Sequence, residues 1–277
     1  MELNWLESII YGFIYGITEI LPLSAPAHEV LVSKVFGISS NPMLQLFVHA
    51  AILGAIYWSM KEHIDKLMQE QKLYRIPPKR RPKQPDAILV REYKLLRSAV
   101  IFMILGFCAG YFFRNVKFQL SLIAGLLFLN GIILYIPGRL PSGNKDSRLM
   151  TPVDSVLLGF AAALAMFPGL SRMGTTLTTA QLKGVDKDHA LRWAFLLNMI
   201  ALVFVIGMDF YFIILNGFGQ FSISNFIVST LAAACAFGTA TAGLSIMRFL
   251  AFRAGFSSFA YYSWGAALFA FLMYLTS

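Results

Sequence analysis

The sequence predicts an all-α polytopic membrane protein, with about six full spans plus two re-entrant helical hairpins arranged as two inverted-topology repeats. Three observations predict it. Of the 277 residues, 57% are hydrophobic and 13% charged, about half the charged fraction of a soluble domain. Stretches near 43–60, 96–113, 118–137, 193–215, 225–247 and 259–276 are apolar, and each approaches the ~20 residues that cross a bilayer core as a helix. Two further apolar regions, 5–36 and 152–182, are interrupted in mid-run by proline and small polar residues, which remove helical hydrogen bonds.

Taken in order, region 5–36 is flanked by Glu2 and Glu7 and lacks a basic leader and a small-residue cleavage site, so it reads as structure and not as a removable signal. It breaks at Leu21-Pro22-Leu23-Ser24-Ala25-Pro26. After the span at 43–60 comes a connection at 61–97 that carries Lys61, Lys66, Lys72, Arg75, Lys79, Arg80, Arg81, Lys83, Arg91, Lys94 and Arg97, with Pro77-Pro78, Pro82 and Pro85 making it irregular. The formal net charge of +9 thus sits in loops between apolar runs. That is the positive-inside pattern of a protein resting on anionic headgroups, and it argues against nucleic acid as a partner. Spans at 96–113 and 118–137 follow, then the second broken region, 152–182, interrupted at Phe167-Pro168-Gly169-Leu170-Ser171-Arg172, and then the last three spans. Cys108 and Cys235 lie singly within apolar runs, in neither metal nor redox spacing, and read as packing residues.

Loop charge turns this order into a topology. With the basic loops at 61–97, 138–148, 183–192 and 248–253 on the cytoplasmic side, region 152–182 has both ends inside. Region 5–36, which precedes a span arriving inside at Lys61, has both ends outside. Two similar hairpins then enter from opposite faces, and both termini lie outside; Arg114 and Lys117 in an outside turn are a mild exception. The hairpins share a short pattern: Gly12-Phe13, an apolar stretch and Pro22-Leu23-Ser24, against Gly159-Phe160, an apolar stretch and Pro168-Gly169-Leu170-Ser171. The resulting plan is one membrane domain over 1–277, with repeats at 1–137 and 138–277 and broken-helix tips meeting near the bilayer midplane.

Irregular backbone at that depth persists only beside protein or a wet cavity, so both tips face polar groups. The first offers Thr18, Glu19, Ser24, His28 and Glu29, and the second Ser171, Arg172, Thr175, Thr176, Thr178 and Thr179. Glu19 and Arg172 are costly there unless paired or solvated, which makes them functional candidates, or else a salt bridge that joins the hairpins. Ser171-Arg172-Met173-Gly174-Thr175-Thr176 opens a helix after Pro168-Gly169. A positive helix end with hydroxyls and a guanidinium suits a phosphate-like anion or a carboxylate. Ser24 stands where it can cap the returning half-helix, with Pro26 in the first turn and His28 one turn on. A carboxylate, a hydroxyl and an imidazole opposite an anion cradle are equipped to hydrolyse a phosphoanhydride. The pairs Gln45/His49 and Tyr15/Glu19 each share a helix face, and Asn130, Asn198 and Asp209 read as glue between helices.

The stretch from Gly12 through Glu19, Pro22-Leu23-Ser24-Ala25-Pro26-Ala27-His28, together with Pro168-Gly169-Leu170-Ser171-Arg172-Met173-Gly174-Thr175-Thr176 and Phe195-Leu196-Leu197, resembles the undecaprenyl-diphosphate phosphatases of the bacitracin-resistance type. The resemblance covers essentially the whole chain. It implies inverted repeats with re-entrant hairpins meeting at an outward-opening site in the plasma membrane. It also implies removal of the terminal phosphate from a C55 isoprenoid diphosphate for cell-wall synthesis, with a divalent cation, Mg²⁺ or Ca²⁺, and it leaves a homo-oligomer open. Carried over by position, the resemblance gives Glu19, Ser24, His28 and Arg172 catalytic places, with Glu19 also the one candidate metal ligand. It places Ser171, Arg172, Gly174, Thr175 and Thr176 on the substrate phosphate. Three positions depart from the pattern: Tyr15 stands for a glutamate, Ala25 for a serine and Met173 for a serine. A two-carboxylate metal site is therefore absent at 15 and 19. The attacking group is left open between Ser24, His28 and a water activated by Glu19 or His28. A carrier or flippase for polyprenyl phosphates that does not hydrolyse them is the alternative reading.

Overall fold

The computed structural model describes residues 4–38, 40–110, 118–141, 143–216, 222–253 and 256–276; Arg114 and Lys117 lie outside these. The described residues form ten α-helices: α1 Trp5–Ile20, α2 Ala25–Phe36, α3 Pro42–Arg75, α4 Ala87–Gly110, α5 Leu120–Tyr135, α6 Pro152–Ala163, α7 Arg172–Leu182, α8 Lys187–Asn216, α9 Ile223–Arg253 and α10 Ser258–Thr276. Short 3-10 turns sit at Pro78–Arg80, Ile136–Arg139 and Leu164–Met166, and no strand is present among the described residues.

Local chemistry sets the helix starts. Asn4 and Glu7 form a reciprocal capping box at α1, and Thr151 and Asp154 form another at α6, each satisfying two free N–H groups. Asn41 caps α3 ahead of Pro42, and Ser171 caps α7 through Gly174 N. Six helices, α3, α4, α5 (with its following 3-10 turn), α8, α9 and α10, are long and apolar enough to cross a membrane. They match the six runs read from the sequence. Large side chains such as Leu105, Phe128, Ile214 and Phe271 remain exposed on their outer faces, as a lipid-facing surface requires.

The basic connection differs from the sequence expectation. α3 continues to Arg75 and α4 starts at Ala87, so only the proline-bearing stretch between them is irregular. The i, i+4 pairs Lys61–Asp65 and Glu62–Lys66 brace the extension. The four basic loops gather at one end of the bundle. Arg91 donates to the carbonyls of Ser147 and Met150, Lys145 exchanges backbone bonds with Gly184 and Asp186, and Arg248 donates to Ser59.

The helix contacts interleave early and late parts of the chain: α1 packs on α9, α6 on α4, α3 on both α8 and α9, and α5 on α10. Two glycines make the first two contacts possible. A Cβ on Gly12 would lie 2.2 Å from the carbonyl oxygen of Ala232, and one on Gly159 would lie 2.1 Å from that of Ala99. Such backbone approach is how small residues join helices where lipid removes the hydrophobic drive. Gly12→Ala and Gly159→Ala are each expected to destabilise the protein by about 1–3 kcal/mol, read as a lowered unfolding temperature in detergent. Gly207→Ala, where nothing lies within 4 Å of the added carbon, should leave stability unchanged or slightly raised.

Candidate active site

Both broken regions are helix–turn–helix hairpins, and their turns meet. In the first, α1 ends at Ile20 before Pro22, and α2 starts at Ala25. In the second, the chain turns through Phe167-Pro168-Gly169-Leu170-Ser171 into α7. Gly169 has φ +122, and a Cβ there would lie 2.4 Å from Leu126 Cβ, so both conformation and space demand glycine. Its N–H donates to Ser24 Oγ at 3.0 Å, joining the two turns directly.

Asn130 of α5 joins them a second time. Fully buried, it donates to Pro22 O at 3.1 Å and to Ser263 Oγ at 2.8 Å, and its Oδ1 accepts from Ser171 N at 3.0 Å. One amide thus closes an open carbonyl of the first turn and an open N–H of the second, groups that a broken helix leaves without partners.

Between the turns lies an ion pair. Arg172 Nη1 donates to Glu19 Oε1 at 2.9 Å and to Asn198 Oδ1 at 2.6 Å, and Asn198 Nδ2 donates to the Glu19 carbonyl at 3.4 Å. The Glu19 and Arg172 side chains are 9% and 11% exposed, so the charges are compensated by each other and by the amide. Arg172 Nε has no hydrogen-bond partner, nor does Thr176 Oγ1. The two residues are i, i+4 on α7 and share a face. Buried donors left open in this way need an explanation.

The other sequence candidates are placed as follows. Ser24 does not cap α2, contrary to the sequence expectation: its φ of +69 turns the hydroxyl away from the helix, and it accepts from Gly169 instead. It is the one non-glycine residue with positive φ among the described residues, a conformation costing about 1–3 kcal/mol. His28 bonds the Ser24 carbonyl at 2.9 Å through Nδ1 and the Tyr262 hydroxyl at 2.9 Å through Nε2. Ser171 Oγ caps Gly174 N at 3.2 Å. Thr175 Oγ1 donates to carbonyls, with Ala161 O at 2.7 Å. Gly174 packs against Leu134, where a Cβ would come within 3.1 Å. Glu29 has one oxygen receiving Tyr11 OH at 2.8 Å, Ser40 Oγ at 2.5 Å and Gln45 Nε2 at 2.9 Å.

A divalent cation implied by the resemblance finds a poor fit. Hard cations take about six or more oxygen ligands, usually with carboxylates among them. Here Glu19 is a single carboxylate bonded to a guanidinium. Among the described residues no group of three or more His, Cys, Asp or Glu side chains converges to hold a metal ion.

The sequence reading gave Asn130 and Asn198 only a gluing role and missed Tyr262 and Ser263. Lone amides in apolar spans were the available signal for the first two; the last two carry none.

Comparison with known proteins gives the chain's family. The family described as bacitracin resistance protein BacA matches the chain over residues 8–269. The chain belongs to that family. Relatives of the BacA family include an undecaprenyl-diphosphatase of Thermodesulfovibrio yellowstonii, 30% identical over 97% of this chain and 96% of that protein. Undecaprenyl-diphosphatase 3 of Bacillus cereus is 28% identical over 99% of both chains, and an undecaprenyl-diphosphatase of Methanobrevibacter smithii is 30% identical over 72% of this chain and 73% of its own. The BacA match runs from within α1 to within α10, and so includes both turns, α6, α7 and five of the six candidate spans in full.

Proposed function

We propose that the protein is an integral-membrane phosphatase that hydrolyses undecaprenyl diphosphate to undecaprenyl phosphate and phosphate, recycling a carrier lipid at the plasma membrane. The observation that carries the reading is the half-open guanidinium of Arg172 at the junction of the two turns, in a chain that matches undecaprenyl-diphosphatases from end to end. The relatives' names favour hydrolysis over a carrier that leaves the diphosphate intact.

In this reading the terminal phosphate binds Arg172 Nε and Thr176 Oγ1, while Glu19 and Asn198 fix the guanidinium plane. Positioned donors aimed at charge that grows in the transition state supply most of the catalysis in phosphoryl transfer. The isoprenoid tail lies laterally between helices. An apolar groove of about 470 Å³ between α5 and α10, lined by Ser121, Gly125, Phe128, Trp264, Leu268 and Phe271, sits on the two helices that carry Asn130 and Ser263. Water is the attacking group in this reading; the bond Ser24 Oγ accepts from Gly169 and the two partners of the His28 ring support it over attack by either side chain. Ser24→Ala is then expected to lower release by no more than ~10²-fold, because the buried Gly169 N–H it strands costs about 1–3 kcal/mol. A loss of ~10⁴-fold would instead make Ser24 the nucleophile.

The inverted-repeat plan belongs to the same reading, as do hairpins that re-enter from opposite faces and termini on the outer side. Its support is the correspondence of contacts. Pairing α1 through α5 with α6 through α10 maps the α1–α9 contact onto α6–α4, and the Gly12–Ala232 approach onto Gly159–Ala99. Both ends of the second hairpin adjoin the basic loops through Met150 and Val185. Reporter fusions placing both termini in the cytoplasm would overturn this orientation.

Phosphate release from purified protein with C55-diphosphate tests the activity, run with chelator and with Mg²⁺ or Ca²⁺, the cation for which Glu19 is the candidate ligand. Release at a steady rate supports the phosphatase. Bound lipid with no release under any condition supports the carrier.

A further inference from the structure

A second polar chain lies beside the ion pair, on three different helices. Tyr15 of α1 precedes Glu19 by one turn. Its hydroxyl lies 2.8 Å from His49 Nε2 of α3, and His49 Nδ1 lies 2.6 Å from Asp209 Oδ2 of α8. All three are buried, at 7%, 4% and 6% exposure. An ionised carboxylate only accepts, so His49 Nδ1–H donates to Asp209; in the tautomer that leaves Nε2 without a proton, the Tyr15 O–H donates to Nε2. This is the order of groups that activates a hydroxyl in hydrolases: carboxylate, imidazole, hydroxyl.

A clamp between α3 and α8 needs only His49 and Asp209. The third member extends the chain toward the candidate site. Tyr15 lies on the Glu19 face of α1, its ring stacks on Tyr11 at 5.6 Å, and the charges of Glu29, Glu19, Arg172 and Asp209 all act on it. Ionisable groups at such depth tend to move protons or bind ligands.

We propose that Tyr15, His49 and Asp209 form a proton relay serving the phosphate held at Arg172. The proposal rests on the phosphatase reading. As a water oxygen bonds the terminal phosphorus, the bridging P–O bond breaks and its electron pair stays on the lipid phosphate. The water's proton passes to the Tyr15 oxygen while Tyr15's own proton passes to His49 Nε2. The imidazolium rests against Asp209 until product leaves, and the proton returns outward by the same groups. Tyr15 is the catalytic member, and His49 and Asp209 are positioning residues. The titratable and charged groups around His49 are Tyr11, Tyr15 and Glu19 of α1, Glu29 of α2, Arg172 of α7 and Asp209 of α8. α9, packed on α1 and α3, carries only Cys235 between Ile223 and Met247. The charged residues of α4 from Arg91 to Arg97 lie at the other end of α3, where Glu92 meets His63.

The test compares Tyr15→Phe, Asp209→Asn and their double variant with the parent protein, measuring kcat, KM and the pH profile of kcat on C55-diphosphate together with the unfolding temperature. A relay predicts kcat lowered by about 10²–10⁴-fold in each single variant, KM within about 3-fold, a displaced pH profile, and a double variant no worse than the singles. An unchanged pH profile with activity tracking lost stability overturns the relay in favour of a clamp, as do losses that multiply in the double variant. A parent protein that releases no phosphate defeats the phosphatase reading instead. The relay is then judged by ¹⁵N-histidine resonances: His49 protonated at Nδ1, with an Nε2 signal that Tyr15→Phe shifts, supports it, and His49 protonated at Nε2 overturns it.

Discussion

Arg172→Ala is expected to lower phosphate release by about 10³-fold or more, the scale on which an arginine aimed at a transferring phosphoryl group acts. Nothing else at the junction can take its place. Lys145 and Lys183 lie in loops at the basic end and Arg248 at the same end of α9, and Ser171 N and Gly174 N are bonded to Asn130 and Ser171. Arg172→Lys should recover little: an ammonium can pair with Glu19 but cannot also present a planar edge to phosphate, so about a 10²-fold loss is expected. Removing the guanidinium also strands Glu19, and breaking a buried pair costs about 3–5 kcal/mol. Stability and chemistry are separated by adding Glu19→Gln to Arg172→Ala. The double variant should regain unfolding temperature without regaining turnover. Release within 10-fold of the parent from a folded double variant would falsify the assignment of phosphate to Arg172.

The helical plan was readable because the bilayer imposes it. A run of about 20 apolar residues has few alternatives to a spanning helix, and over its described residues each of the six runs falls in a helix long and apolar enough to cross. The two breaks were equally plain, since Pro22 and Pro168 interrupt otherwise unbroken apolar stretches, and each proves to be a turn between helices. What the sequence concealed is which groups each turn would use. Ser24 has the composition of a helix cap, yet its positive φ hands its hydroxyl to Gly169 across 145 positions of chain. Ser171, a candidate phosphate ligand, caps α7. The second outcome is a local bond to Gly174 N, three residues on, whereas the first depends on how the two turns dock, which no local pattern contains. The same holds for Asp209, whose partner lies 160 positions away; its isolation in an apolar span showed only that it needed one.

The second large effect is expected at a residue that touches no substrate. Asn130→Leu keeps the volume but removes the donor to Pro22 O and Ser263 Oγ and the acceptor for Ser171 N, at a site with no exposure to solvent. Each abandoned group costs about 1–3 kcal/mol, so at least about 3 kcal/mol is expected, or roughly 10 °C in unfolding temperature. Asn130→Asp should rescue only part of this, because an ionised carboxylate accepts from Ser171 N but offers Pro22 O no donor. The turns would then be joined by the Gly169–Ser24 bond and the Arg172–Glu19 pair. The latter is built from helix-borne side chains, so lipid binding that depends on Arg172 should survive in Asn130→Leu below its unfolding temperature while turnover falls by about 10²-fold, the penalty for a site displaced by about an ångström. Equal losses of binding and turnover would mean instead that Asn130 maintains the hairpins as folded units, and that registration of the two turns is not what it contributes.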